Sequence, residues 1–220
     1  MCTVKEGRCS GNGFSLIIKT GMEKDQKFLE KAAQIFLENG AKTVSMDDLA
    51  REFGVSKKTL YLIYKNKDEL LEDVLQHSTN KVLQVIKNLD EKIDNAIDRM
   101  FERDEEIERI ASTNNSIMLK QLIKYYPDLF SKHMLLFSEK FAEIIAHNIE
   151  RGRKQGYYRE DFEAKLYAKM YFQLVMSYDS SPYIDTSTIT KQEYHQEALK
   201  LYMNAITTEK GRQFMIENGH

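Results

Sequence analysis

Only two prolines, Pro127 and Pro182, interrupt 220 residues. Proline breaks helices because its ring clashes with the preceding turn and it has no N–H to donate. With so few breaks, apolar residues are free to recur every three or four positions over many turns, and they do. Phe28, Ala32, Ile35 and Phe36 repeat in this way, as do Leu70, Leu71, Val74, Leu75, Val82 and Leu83. This is the period of a helix, and no alternating run of useful strand length competes with it. The expected fold class is all-α.

Local signals divide the pattern. A first helix is expected from Glu23 to Asn39, ended by Asn39-Gly40, a pair suited to a left-handed cap. Ser45 precedes a second, Met46 to Phe53, with Asp48 three residues on in a near capping box, and Gly54 stops it. Ser56 caps a third from Lys57 to about Ile63, and a fourth begins near Lys67 and runs past Leu83. Beyond residue 90 the periodicity predicts helices over 91–111, 114–126, 128–154, 162–180 and 191–208. Pro127 suits the first turn of the third of these, and SSPYIDTST (180–188) has the composition of a loop.

No window approaches the length of uncharged apolar sequence that spans a bilayer. The first residues, MCTVKEGRCSGNGFSLIIKTG, carry too short an apolar run for a secretory signal. We therefore expect a cytoplasmic protein with no membrane partner. Residues 1–21 contain Cys2, Cys9 and four of the ten glycines, and are expected to form a disordered leader, with Met22 as the candidate native initiator. Two nearby thiols supply too few ligands for a metal site, and His77, His133, His147 and His195 show no metal-ligand spacing. No metal and no cofactor are expected. No nucleophile–base pair, phosphate loop or dinucleotide fingerprint points to an enzyme.

The net charge is −2, which argues against a protein that coats polyanions with its whole surface. The local balance differs. Between Arg51 and Lys67 stand five basic residues (Arg51, Lys57, Lys58, Lys65, Lys67) and one acid, Glu52, a sum of +4. This is where a helix ends at Gly54 and another starts at Ser56. Leu49, Ala50, Val55, Leu60 and Ile63 would form the small core of such a pair, and the positive φ of the turn would fall to Gly54. Helix, short turn and second helix in this pattern is the DNA-binding arrangement. Lys57, Lys58, Thr59, Tyr61 and Tyr64 are then left largely outward, on a helix able to enter a major groove about 12 Å wide. Lys67, at the start of the next helix, suits a phosphate. The bland alternative is a solvated helical hairpin with Tyr61 and Tyr64 packed on its core.

TVSMDDLAREFGVSKKTLYLIYKNKDELL resembles the helix-turn-helix of the TetR family of transcriptional repressors. The likeness covers roughly residues 24–75 and includes T-L-Y-x-x-Y-x-x-K-x-x-L, held by Thr59, Leu60, Tyr61, Tyr64, Lys67 and Leu70. Ile63 and Tyr64 stand where a tyrosine or histidine and a phenylalanine are more usual. A weaker echo, IERGRKQGYYREDF (149–162), is similar to the turn into the family's dimerisation helices. The resemblance implies a homodimer that binds a palindromic double-stranded operator and responds to a small molecule. Carried over by position, Lys57, Lys58, Thr59 and Tyr61 would be recognition contacts, and Ser45, Tyr64 and Lys67 backbone contacts. With about 6–10 ionic phosphate contacts, log K should fall against log salt with a slope of about −5 to −9.

The implied division is a leader (1–21), a three-helix DNA-binding domain (22–70), and a helical ligand-binding and dimerisation bundle (71–220). For dimerisation the apolar faces offer Leu166, Met170, Leu174 and Val175 from one helix and Ala198, Leu201, Tyr202 and Ala205 from the next. For a ligand pocket the aromatic and methionine-rich set is Met100, Ile107, Met118, Leu122, Tyr125, Tyr126, Phe137, Phe141, Tyr171 and Met176. The same residues also suit a plain bundle core. Because the set contains no ionised side chain, a partly apolar effector of unknown identity is expected. Two other functions compete: a DNA-binding protein that needs no ligand, and an α-helical enzyme or carrier with an incidental helix-turn-helix.

Overall fold

A helix over Gln26–Asn39 (α1) buries Phe28, Ala32, Ile35 and Phe36, the stripe that its sequence period dictates. In the computed structural model, which describes residues 26–102 and 117–220, nine further helices follow. They are α2 (Met46–Glu52), α3 (Lys57–Ile63), α4 (Lys67–Lys92), α5 (Ala96–Phe101), α6 (Ile117–Tyr125), α7 (Pro127–Lys154), α8 (Ala164–Ser180), α9 (Lys191–Ile206) and α10 (Glu209–Glu217). Among the described residues no strand forms; Tyr158 and Thr207 make one isolated antiparallel bridge. The expected leader and Ile107 lie outside the described residues.

The described residues form two units, residues 26–78 with 117–125, and residues 79–102 with 126–220. The expected boundary at residue 70 is therefore corrected. Leu70, Leu71 and Val74 on the opening turns of α4 are fully buried, and α4 belongs to the first unit as far as Ser78. Helix α6 also joins the first unit, where it packs on α1. Its Met118 and Leu122, one turn apart, are buried. These two residues and the exposed Tyr125, expected at a ligand pocket, belong to the unit that holds the helix-turn-helix.

In the second unit α7 packs against α5 and α8, and α8 against α9. Phe141, Ile145, Ile149, Phe172, Met203 and Ile206 lie in its core. Phe141 and Phe172 approach to 5.3 Å between ring centroids, and Tyr171 stacks on Tyr202 at 4.6 Å. Met100 is buried in this core; Phe137, Tyr171 and Met176 pack against it, and Tyr126 is half-buried. Ala198 and Tyr202, expected between subunits, are buried within the unit itself, so a partner chain cannot reach them. Their neighbours Leu166, Met170, Leu201 and Ala205 are exposed, and Leu174 and Val175 are half-buried.

A buried polar network crosses this core. Arg151 Nη2 donates to Asp90 Oδ1 at 2.9 Å and to Asn148 Oδ1 at 2.8 Å, and Arg151 Nη1 donates to the Asp90 carbonyl at 2.6 Å. Arg99 Nε lies 3.6 Å from the same carboxylate and its Nη2 donates to the Ile86 carbonyl. Asn148 and the Tyr158 hydroxyl both donate to the Ala96 carbonyl, which fixes the start of α5. Asn95 caps that helix, and its break from α4 divides the single helix predicted over 91–111. Helix α10 was not predicted, because Gly211 interrupts its pattern; Thr208 caps it.

Candidate nucleic-acid interface

Two helix caps and one glycine build the interface. Ser45 accepts from the Asp48 N–H at 3.2 Å, while its own N–H and hydroxyl donate to Asp48 Oδ2 at 3.0 and 2.6 Å. This is a complete capping box, and these bonds hold the Asp48 carboxyl below its usual range. At the other end of α2, Gly54 adopts φ +67°, a left-handed conformation that an L side chain strains. Its N–H donates to Arg51 O at 3.0 Å, and the Val55 N–H to Ala50 O at 2.9 Å. Ser56 then accepts from the Thr59 N–H at 3.1 Å and starts α3. Ammonium Nζ of Lys31 on α1 donates to the Glu52 carbonyl at 2.6 Å, which ties the end of α2 to the first helix.

Leu49, Ala50 and Leu60 are buried where α2 and α3 pack together. Fully burying a leucine contributes about 1.5–3 kcal/mol, so Leu60 alone fixes much of the rotation of α3. The face left outward carries Lys57, Lys58 and Tyr61, all exposed. Three sequence expectations change here. Thr59 is buried, and its hydroxyl is 2.8 Å from Ser56 Oγ, inside the turn rather than on the reading face. Tyr64 is fully buried and stacks on Phe28 at 5.8 Å; the preceding hairpin-core reading was right for this residue. Burial drives its phenol well above the ordinary range. Ile63 is only half-buried, and Leu62, beside it, is exposed. The rotation of α3 that buries Leu60 places Thr59 inward with it.

The charge of this face is also smaller than the count over 51–67 suggests. Extending the window to Asp47 adds Asp47 and Asp48, so five bases meet three acids, +5 − 3 = +2. Arg51 pairs with Asp48 at 3.2 Å, and Lys57 Nζ pairs with Asp47 at 2.7 Å. The Asp47 carboxylate raises the affinity of Lys57 for its proton, chiefly through the hydrogen bond. Lys57 Nζ also lies 5.9 Å from the centre of the Tyr61 ring. Lys58 makes no ion pair among the described residues.

The loop before α2 adds groups that the sequence reading did not single out. Lys42 and Thr43 are exposed. Gln121 of α6 accepts from their N–H groups at 2.5 and 3.3 Å, and its amide donates to Thr43 Oγ1 at 3.0 Å. Lys67 Nζ donates to the Lys42 carbonyl at 3.2 Å; burial and the nearby Lys42 charge lower the pKa of Lys67. Lys67 is thus tied to the loop that carries Lys42 and leads into the Ser45 cap. The available signal was the position of Lys42, three residues before the helix cap at Ser45. Long-range partners such as Gln121 have no such signal.

No helix among the described residues is long and apolar enough to cross a membrane, and none of their acidic, histidine or cysteine side chains group as metal ligands. The sequence profile of bacterial regulatory proteins of the tetR family matches residues 28–74, which covers α2, α3 and the opening of α4. An HTH-type transcriptional regulator of Staphylococcus aureus strain USA300 is 30% identical over 138 residues, covering 54% of this chain and 70% of that protein. The uncharacterized HTH-type transcriptional regulator YvaF of Bacillus subtilis is 22% identical over 84% of this chain and 97% of its own. The fold matches that of SmeT, the repressor of the Stenotrophomonas maltophilia multidrug efflux pump SmeDEF. The TM-score is 0.57 at 14% identity, over 86% of this chain and 93% of SmeT. With its helix-turn-helix built as described, the chain belongs to the TetR family of bacterial helix-turn-helix transcriptional regulators, which are DNA-binding proteins and not enzymes.

Proposed function

We propose that this regulator is a homodimeric repressor that reads a palindromic operator with α3 and leaves it when a small, partly apolar molecule binds the second unit. The observation that carries the reading is the outward row of Lys57, Lys58 and Tyr61 over the buried Thr59 and Leu60. Lysine ammoniums suit guanine edges and phosphates, and a tyrosine hydroxyl suits phosphate oxygen. Lys42, Ser45 and Lys67 would meet the sugar–phosphate backbone, Ser45 through its position at the helix start rather than its occupied hydroxyl. SmeT, similar in fold, is a repressor, which supports that sense of regulation.

The exposed Leu166 and Met170 on α8 and Leu201 and Ala205 on α9 would form the contact between subunits. Leu174 and Val175 extend the α8 row. A two-fold dimer would set the heads on half-sites one helical turn of DNA, or a multiple of it, apart. Phe137, Phe141 and Tyr171 around the second core are the groups offered to an effector, with Met100, Tyr126 and Met176 beside them. The test is binding to the DNA upstream of the protein's own gene, wild type against Lys58→Glu and Tyr61→Ala. Both variants should bind at least tenfold more weakly; unchanged binding by both defeats the reading. Leu201→Asp should convert a dimer to a monomer in sedimentation.

A further inference from the structure

The reading face carries a carboxylate where a simple phosphate-binding surface would have none. Asp47 stands on the first turn of α2, exposed, and both its oxygens reach Lys57 Nζ, at 2.7 and 3.0 Å. Asp48, next to it, is used up by the capping box and Arg51. Asp47 has no such structural use: the cap is complete without it. Its partner among the described residues is Lys57, the first residue of α3.

This matters because the two lysines of α3 differ in what they bring to a polyanion. Lys58 brings a full positive charge. Lys57 brings a charge with a carboxylate oxygen 2.7 Å away. A Debye length of about 8 Å at physiological salt cannot separate charges that close, so a passing phosphate meets Lys57 and Asp47 as a neutral pair. An ammonium has three N–H donors. The pair leaves Lys57 a donor for a single acceptor such as guanine O6 or N7, while removing its attraction for the backbone of any sequence.

We infer that Asp47 is a specificity-determining residue, which holds Lys57 as a base reader and removes it from non-specific phosphate binding. The inference rests on α3 being the DNA-reading helix. It makes Lys57 and Lys58 unequal, which a plain basic patch does not.

The experiment measures affinity of the full chain for a random-sequence duplex between about 50 and 200 mM salt, where each ionic phosphate contact adds roughly 0.9 to the slope of log K against log salt. Wild type, Lys57→Ala, Lys58→Ala, Asp47→Asn and Asp47→Ala are compared, each first matched for helical content and melting. Lys58→Ala should flatten the slope by about 0.9 per head, and Lys57→Ala should leave it near wild type. Both Asp47 variants should steepen it by a similar amount and raise random-duplex affinity several-fold. With Lys58→Ala flattening the slope, equal flattening by Lys57→Ala overturns the inference, as does an Asp47 variant that leaves slope and affinity unchanged. If wild type binds and Lys58→Ala, Lys57→Ala and both Asp47 variants are all indistinguishable from it, the assignment of α3 as the reading helix fails instead.

Discussion

Two glycines of the first unit have left-handed backbones but different neighbours, and substituting each by alanine separates backbone strain from a packed contact. Gly54 has φ +67°, and a Cβ built on it meets nothing within 4 Å. Gly54→Ala should therefore cost only the left-handed penalty, about 1–2 kcal/mol. Gly40 has φ +90°, and its Cβ would lie 2.6 Å from Gln121 Oε1 and 2.7 Å from Cδ and Nε2. That side chain must then leave, breaking its bonds to Lys42 N, Thr43 N and Thr43 Oγ1. Hydrogen bonds contribute about 0.5–1.5 kcal/mol each; these are exposed and one is long, so about 1–2 kcal/mol for the set is reasonable. Gly40→Ala should cost about 2–4 kcal/mol in all. Amide exchange in urea, followed on peptides spanning residues 40–53, reports the first unit alone. In a Gln121→Ala background the cost of Gly40→Ala should fall to that of Gly54→Ala, a coupling of about 1–2 kcal/mol. Equal costs for the two glycine variants in the wild-type background, or strict additivity with Gln121→Ala, would refute the clamp.

Tyr64→Phe should leave operator affinity within about threefold, since the buried hydroxyl cannot reach a phosphate, whereas Tyr64→Ala should cost about 3–5 kcal/mol of stability by opening a cavity under Phe28; gel shift and urea melts read the two. Asp90→Asn should destabilise the second unit by about 3–5 kcal/mol, because it leaves the buried Arg99 and the largely buried Arg151 without their shared carboxylate; denaturant melts of the variant check this. Burial, with repulsion from Lys191, lowers the pKa of His195 below 6.5. The unfolded chain then binds the extra proton first as pH falls, so the stability that His195 contributes is complete above about pH 6.5 and is lost toward its folded pKa. Melting temperature should drop from pH 7 to pH 5, and His195→Gln should flatten that part of the curve.

Much of the fold was legible because its signals are local. Ser45, Ser56 and Gly54 mark helix ends through bonds made within a few residues, and the structure places all three as read. The periodicity of α1 and α4 likewise names its own buried face. What failed depends on distant partners. The cap at Asn95 is local, made to the Ile97 and Asp98 N–H groups, but the anchoring of α5 by Tyr158 and Asn148, some fifty to sixty residues away in sequence, on the Ala96 carbonyl is not. Met118 and Leu122 look like any apolar pair, and nothing near them reveals that α1 is their seat. At the interface the outward Lys57, Lys58 and Tyr61 followed from period alone. Thr59 and Tyr64 were misplaced because a seven-residue helix is too short for the period to fix its rotation to better than one position. The pairing of Lys57 with Asp47 crosses a turn, beyond what a charge count along the chain can register.

The membership of α6 in the first unit has a practical consequence for anyone who would transplant the reading head onto another regulator. The head is not one continuous length of chain: residues 26–78 supply the helix-turn-helix and its flanks, and 117–125 return to complete it. A graft cut at Ser78 would carry every residue of the reading face yet leave the flank of α1 bare to water and the loop at Gly40–Thr43 without its amide brace. Such chimeras should aggregate or lose operator affinity unless the second stretch travels with the first. The piece to transplant from this chain is thus a discontinuous one, and a graft drawn from the profile match over residues 28–74 alone would miss its closing stretch.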